Sequence, residues 1–288
     1  MEQENLVEDK QSDWSKLFYT YFYSTACFVG AYLPINIIYL LVTGLVGTSF
    51  AIPTVVYYHK WFFDVPISWW TSNSNVVVIY TYASGPIVCL IFGFIALRFF
   101  FYWRKTRSWL RLYFLWMFHH AFNLFFGAYV AGVISRSGFR HASNWAAIPA
   151  EVEYAVAIFC LIFMFVVGFF SVKFFLQMAV KQTLLVRHRR WRFISFVALF
   201  PWLTGILILT MLKSPQITYY EFLIMAMMFT SVVPLYIAQR FYYEVNVIKN
   251  SEKLTIKLLP LLSLMAFLII FRVVFEIGID LRFLLPKV

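Results

Sequence analysis

The chain has 288 residues, of which 62% are hydrophobic and only 13% charged, with a mean hydropathy of +0.77. Soluble domains average about half apolar and a quarter charged, so that composition excludes an ordinary water-soluble fold. The net charge of +11 does not point to nucleic acid, because the basic residues fall in short connections between apolar runs, as in loops facing anionic headgroups.

The first 16 residues carry five acids and two lysines. A cleavable signal peptide begins with a basic segment, so this start reads as a short acidic cytoplasmic segment and the first span as a retained anchor. From Leu17 to Tyr58 there is no Asp, Glu, Lys or Arg. Further uncharged runs follow at 75–97, 112–135, 154–172, 193–212 and 222–239. Each is 18 or more residues long, about what a helix needs to cross a hydrocarbon core. Seven spans are predicted: 20–46, 75–99, 110–134, 153–177, 193–212, 222–240 and 258–279. The expected fold is all-α, a polytopic integral membrane helical bundle of about seven transmembrane helices forming one domain over 1–288.

Orientation follows from Lys and Arg in the connections. Those at 98–111, 173–192 and 240–257 hold fifteen, against four at 60–74, 136–153 and 213–221. The alternation predicts a protein of the plasma membrane, or of a bacterial inner membrane, with a cytoplasmic N-terminus and with spans two, four and six ending at the cytoplasmic face. The 42-residue first run is about twice the length a bilayer core needs, and Pro34 and Pro53 interrupt it. One span plus a re-entrant or interfacial piece fits the charge alternation; two spans are the alternative. The connection KWFFDVPISWWTSNS at 60–74 suits an aromatic belt at the outer interface.

The third span, WMFHHAFNLFFGAYVAGVISRSGFRH, is the most polar. His120, Asn123, Gly127 and Ala131 share a helix face, and His119 lies four residues before Asn123. Gly127/Ala131 and Ala128/Gly132 are small-xxx-small pairs that let helices approach closely. Ionisable groups at membrane depth suggest a function. The candidate polar site is therefore His119, His120 and Asn123, joined by Arg136, His141 and Glu153 from the outer connection. The competing expectation is a packed face whose neutral histidines bond to neighbouring helices. Arg272 and Glu276, four apart on the last span, form a candidate ion pair.

The three cysteines lie inside apolar runs and read as small buried hydrophobes. Adjacent histidines point about 100° apart on a helix and cannot easily chelate one ion. HExxH, GxSxG and GxxxxGK[ST] motifs do not occur. No metal, cofactor or catalytic residue is expected, and the expected surroundings are the lipid bilayer and a membrane-protein partner. The function read from the residues is a packing or partner-binding membrane component without catalytic machinery. The alternative is a transporter or membrane-embedded enzyme using the polar site of the third helix.

The segment YASGPIVCLIFGFIA at 82–96 resembles the Gly-Pro helix in the membrane core of the site-2 (M50-type) proteases, which reads AGPxxN followed by small apolar residues. Gly85 and Pro86 match, while the customary Asn is Cys89. FNLFFG at 122–127 is similar to the start of the family's third core helix, FNLLPxxxLDG; Asn123 matches, and the metal-binding Asp has no counterpart. The helix that would carry HExxH falls near 36–59 and has no such motif. The resemblance covers about 100 residues and implies a related fold without the zinc, hence not a peptidase.

Overall fold

A computed structural model describes residues 2–72, 75–103, 108–179, 185–242 and 258–284. Several basic residues of the predicted cytoplasmic connections, among them Arg104, Lys105, Lys181 and Lys253, lie outside the described residues. The fold is a bundle of helices. The long ones are α1 (Glu2–Ser49), α3 (Asn75–Tyr102) and α4, which runs Ser108–Phe122, a π-helical turn Asn123–Gly127, then Ala128–Ser135. They continue with α6 (Ala150–Leu176) and α7, which runs Arg190–Ile194, a π-helical turn Ser195–Leu199, then Phe200–Lys213. The last two are α8 (Tyr219–Met227 and Phe229–Ala238) and α9 (Leu258–Ile277). Short helices α2 (Ile67–Ser72) and α5 (Arg140–Trp145) lie in the connections. Among the described residues six helices are long and apolar enough to cross a membrane, and α9 adds a seventh apolar helix of 20 residues. The protein is thus a multi-span helical membrane protein, with helix ends close to those read from charge spacing.

Two regions differ from that reading. The first uncharged run is one helix up to Ser49, and Pro34 sits inside it without ending it. Proline costs an apolar helix one backbone bond, which neighbouring helices can offset. The span from Trp14 to Ser49 has 36 residues. At 1.5 Å per residue it is longer than the apolar layer, so it must tilt or protrude. After it the chain forms a small antiparallel sheet in the order β2-β1-β3: Thr54–Val56 (β1), Trp61–Phe63 (β2) and Ile279–Asp280 (β3). The β1–β2 hairpin turns over Tyr57–Lys60, where the Tyr57 amide donates to the Lys60 carbonyl at 2.8 Å. The Tyr58 amide donates to Phe275 of α9 at 3.0 Å, which ties the hairpin to the last helix. This sheet caps one end of the bundle.

Packing follows lipid solvation. α4 is the most enclosed span, 78% of its most apolar window being buried, against 33% for α3 and α6. Phe94, Ile158, Phe159, Ile162 and Phe170 point outward from those two helices, as lipid-facing residues do. The core between α1, α4, α6 and α7 holds Phe28, Trp116, Phe175 and Phe193. It is stitched by a polar thread in which the Trp116 indole donates to Ser24 Oγ at 2.9 Å and Ser24 Oγ donates to the Val197 carbonyl at 2.6 Å. Lipid tails are as apolar as leucine, so close backbone approach and such bonds hold helices together.

Small residues provide that approach. A Cβ on Gly127 would lie 2.1 Å from Asn123 Oδ1 and 3.1 Å from Met227 Cβ of α8, so the small face of α4 is used inside the chain. A Cβ on Gly168 of α6 would stand 2.1 Å from the Ser231 carbonyl oxygen of α8. Backbone cannot give way there, so Gly168→Leu should destabilise the protein by about 1–3 kcal/mol through overpacking. Thermal unfolding in detergent checks this: Gly168→Leu should melt earlier, whereas lipid-facing Phe170→Leu should melt like the wild type.

Candidate functional site

The residues singled out on α4 are placed in the core and not around one cavity. His120 is buried, with Nε2 2.9 Å from the Phe28 carbonyl and its ring against Phe28 and Tyr32 at 4.4 and 5.3 Å between centroids. His119 points elsewhere, packed among Trp116, Phe118 and Phe175, and its Nε2 is buried without a partner. Asn123 Nδ2 donates to the Ile224 carbonyl of α8 at 2.6 Å, while its Oδ1 lies over Gly127. Glu153 is buried and accepts from Arg140 Nε at 2.9 Å and from Ser143 Oγ at 2.6 Å, which pins α5 to α6. Arg136 is exposed, with a left-handed backbone (φ 56°) at the end of α4. Of the six, His141 alone is among the residues lining the cleft described next. Arg272 Nη2 and Glu276 Oε1 are 3.4 Å apart, and the Arg272 guanidinium lies 3.8 Å over the Tyr58 ring.

The cavity is a cleft of about 350 Å³ at the sheet-capped end. One wall is α1, where Tyr32, Asn36 and Tyr39 follow steps of four and three and so share a face. The hairpin turn adds His59, Lys60 and Trp61. Tyr82 comes from α3, Ser135 from the end of α4, Ser137 from the connection that follows and His141 from α5. The start of α8 contributes Thr218, Tyr220, Glu221 and Ile224.

Beneath the cleft lies a charge that sequence reasoning counted only as a loop cation. Lys213, the last residue of α7, is 1% exposed. Its ammonium donates to Glu221 Oε1 at 2.5 Å and to Asn36 Oδ1 at 3.3 Å, and stands 5.3 Å from the Tyr32 ring centre. The Tyr32 hydroxyl donates to the same Asn36 oxygen at 2.9 Å. Because ammonium can only donate, this contact fixes which end of the Asn36 amide is oxygen. Asn36 lines the cleft, and its Nδ2 is then buried with no partner.

Glu221 is fully engaged. It closes a capping box with Thr218, Oε2 accepting from the Thr218 amide and hydroxyl at 3.2 Å each, while the Glu221 amide donates to Thr218 Oγ1 at 3.2 Å. Across the cleft the Tyr39 and Tyr220 hydroxyls are 3.2 Å apart, and the Phe139 amide donates to Tyr220 at 3.1 Å. His59 is buried, and its Nδ1 has no partner. Burial first, then the charges of Lys60, Lys213 and Arg272, lower its pKa to about 4. It therefore stays neutral near pH 7, and one ring nitrogen can donate while the other accepts. His141 is shifted the same way, by burial and by Arg140.

Two signals in the sequence could have located this site: the polar steps Tyr32, Asn36 and Tyr39 inside an uncharged run, and the T-x-x-E capping signature at 218–221. Among the described residues no group of three or more His, Cys, Asp and Glu could hold a metal ion. No protein-family model matches the chain, and neither a curated protein nor a solved structure matches it.

The charge network generates a prediction. Removing one member of a buried ion pair leaves the other uncompensated, which typically costs about 3–5 kcal/mol, whereas removing both can be nearly neutral. Lys213→Met should therefore destabilise strongly, and Lys213→Met with Glu221→Gln should recover much of the loss. Equilibrium unfolding of the two singles and the double, read as a thermodynamic cycle, measures the coupling. Additive losses would mean that the two charges do not stabilise one another.

Proposed function

We propose that this chain is a non-catalytic membrane binding protein whose partner is a small molecule held in the cleft between α1, α8 and the hairpin. The observation that carries this is Asn36, which lines a 350 Å³ cavity walled by aromatic rings and whose buried Nδ2 has no partner. Small-molecule sites are concave, mostly apolar, about 300–1,000 Å³ in volume, and hold a few convergent polar groups. Catalysis at this cleft lacks support, because its one lining carboxylate, Glu221, is already held by Lys213 and Thr218. The small-residue face of α4 is occupied by α8 and α5, which favours the cleft over that face as the contact for a partner.

The same reading places the cleft on the outer face of the plasma membrane, or of a bacterial inner membrane, with the N-terminus cytoplasmic. Its support is the distribution of charge. Arg98, Arg111, Lys173, Arg187, Arg189, Arg190, Arg192 and Arg240 lie at or near span ends on the side opposite the cleft. The likeness of 82–96 and 122–127 to the site-2 protease core enters as a proposal of shared fold only. What supports it is that these segments pack together, a Cβ on Gly93 meeting Phe122 and Ala121 at 3.0 and 3.1 Å.

A ligand-observed NMR screen of small aromatic fragments against the protein in nanodiscs, with empty nanodiscs as control, tests the function. Fragments should bind the wild type and be lost in Ser137→Trp, whose indole would fill the cleft from its rim. No binding to the wild type, or hits unchanged in Ser137→Trp, would overturn the reading.

A further inference from the structure

Resting on the cleft as a ligand site, we infer that its ligand is a small organic monocarboxylate with a flat aromatic or apolar body. Charge decides the sign of the head group. Lys213 and Glu221 neutralise each other, and Glu221 has both oxygens engaged. Lys60, at the exposed rim, has no ion pair among the described residues. The lining thus carries one uncompensated positive charge and no free carboxylate. A ring of tyrosines and tryptophan would otherwise suit an organic cation through cation–π attraction. Here a cation would meet Lys60 at the mouth, with no carboxylate left to receive it.

Donor chemistry points the same way. The buried Asn36 Nδ2 can only donate, so its missing partner is an acceptor. His59 Nδ1, also buried and unpartnered, can donate as a neutral imidazole. A carboxylate offers two oxygens with several acceptor positions, enough for an amide N–H, an imidazole N–H and an ammonium together. One net positive charge matches one negative charge; a phosphate, with nearly two, would leave charge uncompensated in a half-buried site. The remaining wall fixes the body of the ligand. Leu40, Leu124 and Ile224 are apolar, and Tyr39 and Trp61 stand 5.4 Å apart at 62°, surfaces that suit a planar group.

Binding of benzoate, benzamide and benzylamine to the protein in nanodiscs, by competition in ligand-observed NMR, tests this. The three share one ring and differ in head-group charge. Benzoate should bind at least about tenfold more tightly than either, since charge-assisted hydrogen bonds are roughly twice as strong as neutral ones. Lys60→Gln, a change at an exposed position that should leave folding intact, should remove most of that preference while leaving benzamide binding as it was. Equal or tighter binding of benzamide or benzylamine, still abolished by Ser137→Trp, would overturn the anion assignment and leave the cleft standing as a ligand site. A benzoate preference unchanged in Lys60→Gln would overturn the role given to Lys60. No binding of any of the three would overturn this inference and count against the cleft reading itself.

Discussion

The organising constraint of this structure is one ammonium ion. Lys213 ends a membrane span and, at 1% exposed, is almost wholly buried. An isolated charge in such a place is prohibitively costly, so it must be paired and hydrogen-bonded. Its partners come from two other helices: Glu221 from the start of α8 and Asn36 from the middle of the apolar stretch of α1. To satisfy Lys213 the chain must bring the end of α7, the first turn of α8 and the face of α1 to one place. The capping box fixes α8 in turn, since the carboxylate that receives the ammonium also accepts from the Thr218 amide and hydroxyl, and Thr218 Oγ1 accepts from the Glu221 amide. The cleft is the space left above this junction, and the hairpin and α5 wall it.

The polar groups of α4 obey the same rule with less at stake. His120 and Asn123 each find a backbone carbonyl on a neighbouring helix, Phe28 on α1 and Ile224 on α8. The π-helical turn at Asn123–Gly127 adds a residue to the turn and brings the Asn123 amide over Gly127, where only glycine leaves room. In a medium without water these bonds specify which helices touch, while dispersion and close backbone contact, as at Gly168, supply much of the adhesion. The histidines sit among the aromatic rings that fill the core.

The spans were legible because a membrane imposes one dominant pattern: about 20 apolar residues free of charge, then a polar break. α3, α4, α6 and α7 follow it to within a few residues. The hairpin was not legible. Thr54–Val56 ends an apolar run that reads equally as helix, and Trp61–Phe63 falls in the connection whose aromatics suit an interfacial belt, so neither showed a strand. The length of α1 was hidden by Pro34, which breaks helices in water and is tolerated in lipid. The cleft was least legible of all. Lys213 near a span end looks like a snorkelling loop cation, and only the tertiary contact with Asn36, 177 residues earlier, shows it to be buried. His141 was named for its place beside the third span; it lines the cleft because α5 turns it toward Tyr82, with ring centroids 4.9 Å apart.

The central claim is that the cleft opens to water on the face opposite the basic connections. Cysteine accessibility measures this most directly, because the native Cys27, Cys89 and Cys160 are all buried. In intact cells, Ser137→Cys at the rim of the cleft should react with a membrane-impermeant maleimide, and His188→Cys, among the arginines of the opposite end, should react only after permeabilisation. Labelling of position 188 from outside, with position 137 silent until the membrane is opened, would contradict the account.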